Sequence, residues 1–240
     1  MSTLLLIRHG QASFGTENYD RLSELGMKQS RLLGEYWAAR GQKLDAVFCG
    51  AQERQKQTLL AVRDAYIERG LPFLTHDVIA GFNEYDSQGI MMRLFPKLME
   101  EDKRIQEVIR GSTGMGGNTP QGRKSFQEIF EIVVNRWIRG DVEAPGLESW
   151  VSFYGRVEKG IRRIMSEFPN GKTVAVFTSG GPISATMRFA LGTSDETAIN
   201  LSWVIKNASI NEFKYNAERF SLTGFNMTPQ FQDDALVTYR

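Results

Sequence analysis

The chain has 240 residues, 41% apolar and 24% charged, the balance of an ordinary soluble globular protein. Its formal net charge of +1 gives the molecule as a whole no pull toward nucleic acid or anionic lipid, so any affinity for anions has to be local. A single cysteine, Cys49, excludes an internal disulfide and a thiolate metal site, and two histidines, His9 and His76, argue against a histidine-rich metal centre. No apolar run approaches the ~20 residues of a membrane span. The opening stretch to Arg8 lacks a basic n-region. A cytoplasmic protein without metal or other cofactor is therefore expected.

Residues 4–7 form a continuous apolar run, the mark of a strand buried on both faces. Residues 21–40 read as a helix, with Leu22, Leu25, Leu32, Leu33, Tyr36 and Trp37 near helical spacing and Gly41 at the end. A short strand at 46–49 and a helix at 53–69 follow, closed by Gly70-Leu71-Pro72. A third, more polar strand is predicted at 73–79. About ninety residues then precede the next clear strand, 173–178, far more than a simple crossover needs. This interval carries helical periods at 91–110, 125–139 and 150–168, and a glycine-rich segment at 111–118. That segment is not a phosphate-binding P-loop, because it lacks a preceding strand and a following Lys-Ser/Thr; it reads as a mobile loop. We expect residues of about 82–146 to form a helical cap inserted into a single domain spanning 1–240. After Ser179-Gly180-Gly181-Pro182 comes another helix, and runs at 209–215 and 220–225 read as a closing hairpin. The alternation predicts a three-layer α/β protein: a mostly parallel central sheet with helices on both faces.

Ligands of open parallel sheets bind beyond the carboxyl ends of the strands. Arg8-His9-Gly10-Gln11, Arg54, Glu84 and Ser179-Gly180-Gly181 all follow predicted strands, so the topology would gather them. Taken singly, each has a plain reading. An Arg-His pair at a strand end is a solvated turn, Arg54 a surface residue pairing with Glu53 or Asp64, and Glu84 a loop carboxylate. His76 reads as structural and Cys49 as a small buried apolar residue.

Taken in order, they resemble the histidine phosphatase superfamily, in the branch that includes phosphoglycerate mutases and small-molecule phosphatases. The resemblance rests on Arg8-His9-Gly10-Gln11 after the first strand and on Leu22-Ser23-Glu24-Leu25-Gly26-Met27-Lys28-Gln29. Arg54-Gln55-Lys56-Gln57-Thr58, the acid in Phe82-Asn83-Glu84-Tyr85-Asp86, Gly146-Leu147-Glu148-Ser149 with Arg156, and Asn207-Ala208-Ser209-Ile210 extend it. It implies that His9 attacks phosphorus and becomes a phosphohistidine. Arg8 and Arg54 would grip the equatorial oxygens, which a planar guanidinium does bidentately. Glu84 would protonate the leaving group and then activate water, with Asp86 as its rival. Two departures stand out. Ser179 occupies the position of the family's second histidine, replacing a cationic donor by a neutral one, with Gly180 and Gly181 offering backbone N–H groups beside it. Near the end, an Asn-x-x-x-His pattern becomes Asn226-Met227-Thr228-Pro229-Gln230, which bears on structure more than chemistry. The expected function is a phosphomonoesterase for a small phosphorylated metabolite, its activity weakened by Ser179. The alternatives are a catalytically impaired phosphate-binding or scaffolding homologue, or a phosphoglycerate mutase. No nucleic-acid or membrane partner is expected, and the sequence does not constrain the oligomeric state.

Overall fold

The first half of the chain, in the computed structural model, runs β1 (Ser2–Arg8), α1 (Glu24–Ala39), β2 (Ala46–Cys49), α2 (Glu53–Glu68), β3 (Asp77–Val78), α3 (Ser87–Glu101), α4 (Lys103–Gly111) and α5 (Pro120–Arg139). The second half continues with α6 (Trp150–Glu167), β4 (Thr173–Thr178), α7 (Gly180–Leu191), α8 (Asp195–Ser202), β5 (Ile210–Tyr215) and β6 (Phe220–Met227). The structure describes residues 1–13, 20–112, 119–142 and 144–239. Most of the glycine-rich segment, 113–118, lies outside them.

The strands form one sheet in the order β3-β2-β4-β1-β5-β6. β1 pairs in parallel with β4 on one side and antiparallel with β5 on the other, so its Leu4–Ile7 run is enclosed and at most 5% exposed. β2 joins β4 in parallel, and β5 and β6 form the closing antiparallel hairpin. On one face, Leu33 and Trp37 of α1 and Leu59, Val62 and Tyr66 of α2 pack on Leu5, Ile7, Val47, Ala175 and Phe177. Alternate residues point to the other face. There Phe48 meets Phe168 edge-on, and a Cβ on Gly160 of α6 would touch the Phe82 ring at 3.0 Å. This is the expected α/β sandwich of helix, sheet and helix.

Two expectations of detail fail. The third strand is only Asp77–Val78, which pairs with Phe48 and Cys49 of β2; Phe73 instead packs against the core as a loop residue. The period at 91–110 is two helices. The N–H of Asp102 closes α3 on the Leu98 carbonyl, while its Oδ1 accepts from the N–H groups of Arg104 and Ile105 as the N-cap of α4. Helix α8 also goes beyond the expected elements.

The chain divides into two compact units, Met1–Glu84 with Gly155–Arg240, and Tyr85–Tyr154. The second holds α3, α4 and α5 around an aromatic cluster: Trp137 lies 5.0 Å from Tyr85 and 5.8 Å from Trp150, centroid to centroid. Buried Asp102 is held there by Arg136 at 2.7 Å. Among the described residues, no helix is long and apolar enough to cross a membrane.

Candidate active site

β1 and β4 end side by side, with the His9 N–H donating to the Thr178 carbonyl at 2.9 Å. His9 and Ser179 therefore leave neighbouring strand ends. Helix α2 starts just after β2, and two consecutive residues of its first turn, Arg54 and Gln55, reach one strand end each.

His9 is 5% exposed and fixed at every polar atom. Its carbonyl accepts from the Ala208 N–H and from Asn207 Nδ2, both at 3.2 Å. Its Nδ1 lies 2.6 Å from the Gly10 carbonyl oxygen, which can only accept, so Nδ1 carries the proton. Nε2 is then the lone-pair nitrogen, and Arg54 Nε–H, which can only donate, points at it from 3.2 Å. Burial, then the charges of Arg54 and Arg8, hold the imidazole well below its usual pKa against the opposing pull of the Gly10 carbonyl. The ring is neutral in a positive field. That is a nucleophile's state, and the field is the local anion attraction that the near-zero net charge does not supply.

The two arginines are braced from behind. Arg54 Nη1 binds Asp20 at 2.7 Å, not Glu53 or Asp64, and the other Asp20 oxygen accepts from the Glu53 N–H at 2.9 Å. Asp20 thus anchors both the guanidinium and the first turn of α2. Arg8 donates Nη1 to the Ile205 carbonyl, and a Cβ on Gly180 would lie 3.9 Å from its Cζ, which sets the guanidinium against the start of α7.

Ser179 is fully buried and forms the N-cap of α7 without a capping side-chain bond; its Oγ accepts instead from Gln55 Nε2 at 2.8 Å. Gly180 and Gly181 do begin a helix, with Pro182 in its first turn, where a missing N–H costs nothing. The Gly181 N–H is occupied by Glu84 Oε2 at 3.0 Å. Glu84 is therefore fixed at the N-terminal end of α7. Arg156 braces its loop by donating to the carbonyls of Gly81 and Asn83, both at 2.8 Å. The rival acid Asp86 is the N-cap of α3, accepting from the Gly89 N–H at 2.8 Å.

The loop after β1 is pressed against α1. A Cβ on Gly10 would sit 2.3 Å from the Gly26 carbonyl oxygen, and one on Gly26 would sit 2.1 Å from that of Gln11. Only glycine fits at either place. The Gly10 N–H then reaches Thr58 Oγ1 at 3.0 Å and the Gln11 N–H reaches Gln29 Oε1 at 2.8 Å. Gln29 turns its amide to Leu236 and Thr238, and Thr238 binds Asn207. Ala208 adopts a left-handed φ of 53°, a strain on the order of 1–2 kcal/mol, held by the bond to His9 and by Gln230 Nε2 on its carbonyl at 2.8 Å. Gln230 has the structural part expected of it.

The structure thus gathers Arg8, His9, Arg54, Ser179, Gly180 and Glu84 at the strand ends of the first unit. His76 precedes β3 and Cys49 is buried in the core below, where burial pushes its thiol up to about 11. Sequence reasoning missed Asp20, which no motif marks. It also passed over Gln55, which did leave a signal: a polar residue on the Gln55, Thr58, Leu59, Val62, Tyr66 stripe that α2 buries.

The sequence profile of the histidine phosphatase superfamily (branch 1) matches residues 4–112 and 98–228. No curated protein sequence matches. Among solved structures, an alpha-ribazole phosphatase from Shigella flexneri is similar at a TM-score of 0.60 and 20% identity, over 94% of this chain and 96% of that one. A phosphoserine phosphatase variant from Entamoeba histolytica in complex with phosphoserine reaches 0.62 at 16% identity, over 96% and 99%. A phosphoglycerate mutase from Bacillus anthracis reaches 0.60 at 14%, over 95% and 94%. With a buried histidine beside the Arg54 guanidinium and a profile match over most of its length, the chain belongs to the histidine phosphatase superfamily, branch 1.

Proposed function

We propose that the protein is a phosphomonoesterase that hydrolyses a small phosphorylated metabolite through a phosphohistidine on His9. The observation that carries this reading is the state of His9: Nδ1 locked on the Gly10 carbonyl, Nε2 presented as a lone pair to Arg54, and the ring kept neutral. An incoming phosphoryl group would take over the Arg54 Nε–H, so the guanidinium passes from guarding the nucleophile to binding an equatorial oxygen. Nε2 forms the bond to phosphorus as the ester oxygen departs. Glu84 gives that oxygen a proton, then takes one from the water that cleaves the P–N bond and releases phosphate. Arg8, Ser179 and the Gly180 N–H supply further donors for the anion. Phosphatases with similar folds, named above, support the reaction class.

A second reading, a phosphate-binding homologue with impaired turnover, is favoured by Ser179. It offers a neutral hydroxyl where the family carries a histidine, and losing one charge-assisted donor costs on the order of 100- to 1000-fold in rate. The test is release of p-nitrophenol from p-nitrophenyl phosphate between mildly acidic and neutral pH, with quenching in alkaline detergent to preserve an acid-labile phosphoenzyme. Wild type should turn over and be labelled, and His9→Ala should do neither. Turnover that survives His9→Ala, or none on any of a panel of phosphate esters, would defeat the phosphatase reading. Phosphoglycerate interconversion primed by a bisphosphate would replace it with a mutase.

A further inference from the structure

Gln55 is a buried polar residue that the mechanism above does not use. It lies on the buried face of α2, fully shielded from solvent. Its amide has three partners. Nε2 donates to Ser179 Oγ at 2.8 Å and to the Phe82 carbonyl at 3.2 Å, and Oε1 accepts from the Gln52 N–H at 3.4 Å. The Phe82 carbonyl cannot donate and the Gln52 N–H cannot accept, so the amide has only one orientation that satisfies both. Gly50 makes room for it: a Cβ there would fall 1.9 Å from Gln55 Oε1. The side chain is built in, not merely tolerated.

This orientation decides what Ser179 can do. A hydroxyl carries one proton and two lone pairs. Because Gln55 fills a lone pair, the Ser179 proton is not spent on Gln55, and no acceptor for it exists among the described residues. Thr178 beside it shows the contrast, since its hydroxyl gives its proton to the Phe82 carbonyl at 2.7 Å and is finished. A fully buried O–H with its proton unused, next to the strand end that carries His9 and the first turn of α7, is suited to an anion's oxygen.

We infer that Gln55 is a positioning residue that commits the Ser179 hydroxyl to donate to the phosphate bound at His9. The inference rests on the phosphate-handling part of the proposed function and assigns that site its neutral donor. The pair stands where a charged donor would otherwise be. It gives the site a phosphate contact whose strength does not depend on a titrating side chain.

Binding of inorganic phosphate, followed by 31P NMR and as a competitive inhibition constant where there is turnover, tests it in Ser179→Ala, Gln55→Leu and the double variant. Each single substitution should weaken phosphate binding about tenfold, one neutral hydrogen bond's worth. Because Gln55 acts through Ser179, the double variant should be no weaker than Ser179→Ala. A purely structural Gln55 would lower the melting temperature and leave the phosphate constant unmoved. Multiplicative losses in the double variant, or unchanged binding in either single variant, would overturn the inference. If Gln55→Leu does not fold, Ser179→Ala still decides: phosphate bound as tightly as by wild type removes the donor and the inference with it. Failure of the phosphate-handling reading looks different, since wild type itself would then bind no phosphate.

Discussion

Two neighbouring strand ends receive two consecutive residues of one helix, yet they are built in opposite ways. At the end of β1, His9 meets Arg54, whose charge is braced by Asp20. At the end of β4, Ser179 meets Gln55, and no formal charge enters the pair. The charged end perturbs a titratable ring and so creates a reactive state. The neutral end fixes the direction of one proton. On the proposed mechanism, catalytic power and anion placement are divided between adjacent positions of α2, and substitutions can separate them.

The largest effect should come from the charged end. Arg54→Ala should lower kcat by about 1000-fold, the scale of losing a preorganised donor that acts on developing charge. Arg54→Lys should recover little of this, because an ammonium cannot bind Asp20 and a phosphate oxygen in one rigid fork. Full recovery by lysine would show that only the charge matters there. Exchanging the character of the neutral end is the next test. Ser179→His alone should help little while Gln55 occupies the space, but Ser179→His with Gln55→Ala should raise turnover by about 100-fold. No gain in the double variant would mean that the neutral end does not limit the rate.

A third effect is thermodynamic. The folded state holds His9 below its ordinary value of 6.5, so under mild acid the unfolded chain binds the proton that the folded one refuses. Stability without phosphate should therefore rise with pH through the interval below about 6.5 and level off above it. His9→Gln should flatten that part of the curve in denaturant titrations at several pH values. An identical slope in His9→Gln would mean that the ring does not stay neutral in the fold. The smallest effect belongs to Cys49, which is buried at the end of β2 beside Phe177 of β4. Cys49→Ala should cost about 1 kcal/mol of stability and leave turnover within about twofold.

Much of this was readable in the sequence, and what was not has physical reasons. The apolar run at Leu4–Ile7 announces a central strand because nothing but burial on both faces suits it. His9, Arg54 and Glu84 are visible because charged groups at strand ends are conspicuous once the order of elements is known. Asp20 is invisible because its part is defined only by the arrival of α2 from another stretch of chain. Gln55 was within reach, as a polar side chain on an apolar stripe, but its partner could come only from the sheet register. The strand predicted at 73–79 was overread because β-forming residues do not make a strand without a neighbour to pair with. The single helix expected at 91–110 ignored the capping power of Asp102, which both ends and begins a helix.

The position of β1 in the sheet has a consequence for how the protein is born. Thr3 pairs with Thr173 and with Lys214, and Gln29 is tied to Thr238. The strand that leads to His9 leaves the ribosome well ahead of both β4 and β5, the strands it pairs with. At about 5–20 residues per second, it must wait on the order of ten to thirty seconds before β4 exists. Through that interval an apolar, β-forming segment is exposed with no edge to join, which makes the N-terminal run a natural client for a chaperone. The same central placement that shields His9 in the finished fold leaves its strand the most exposed to misassembly while the chain is being made.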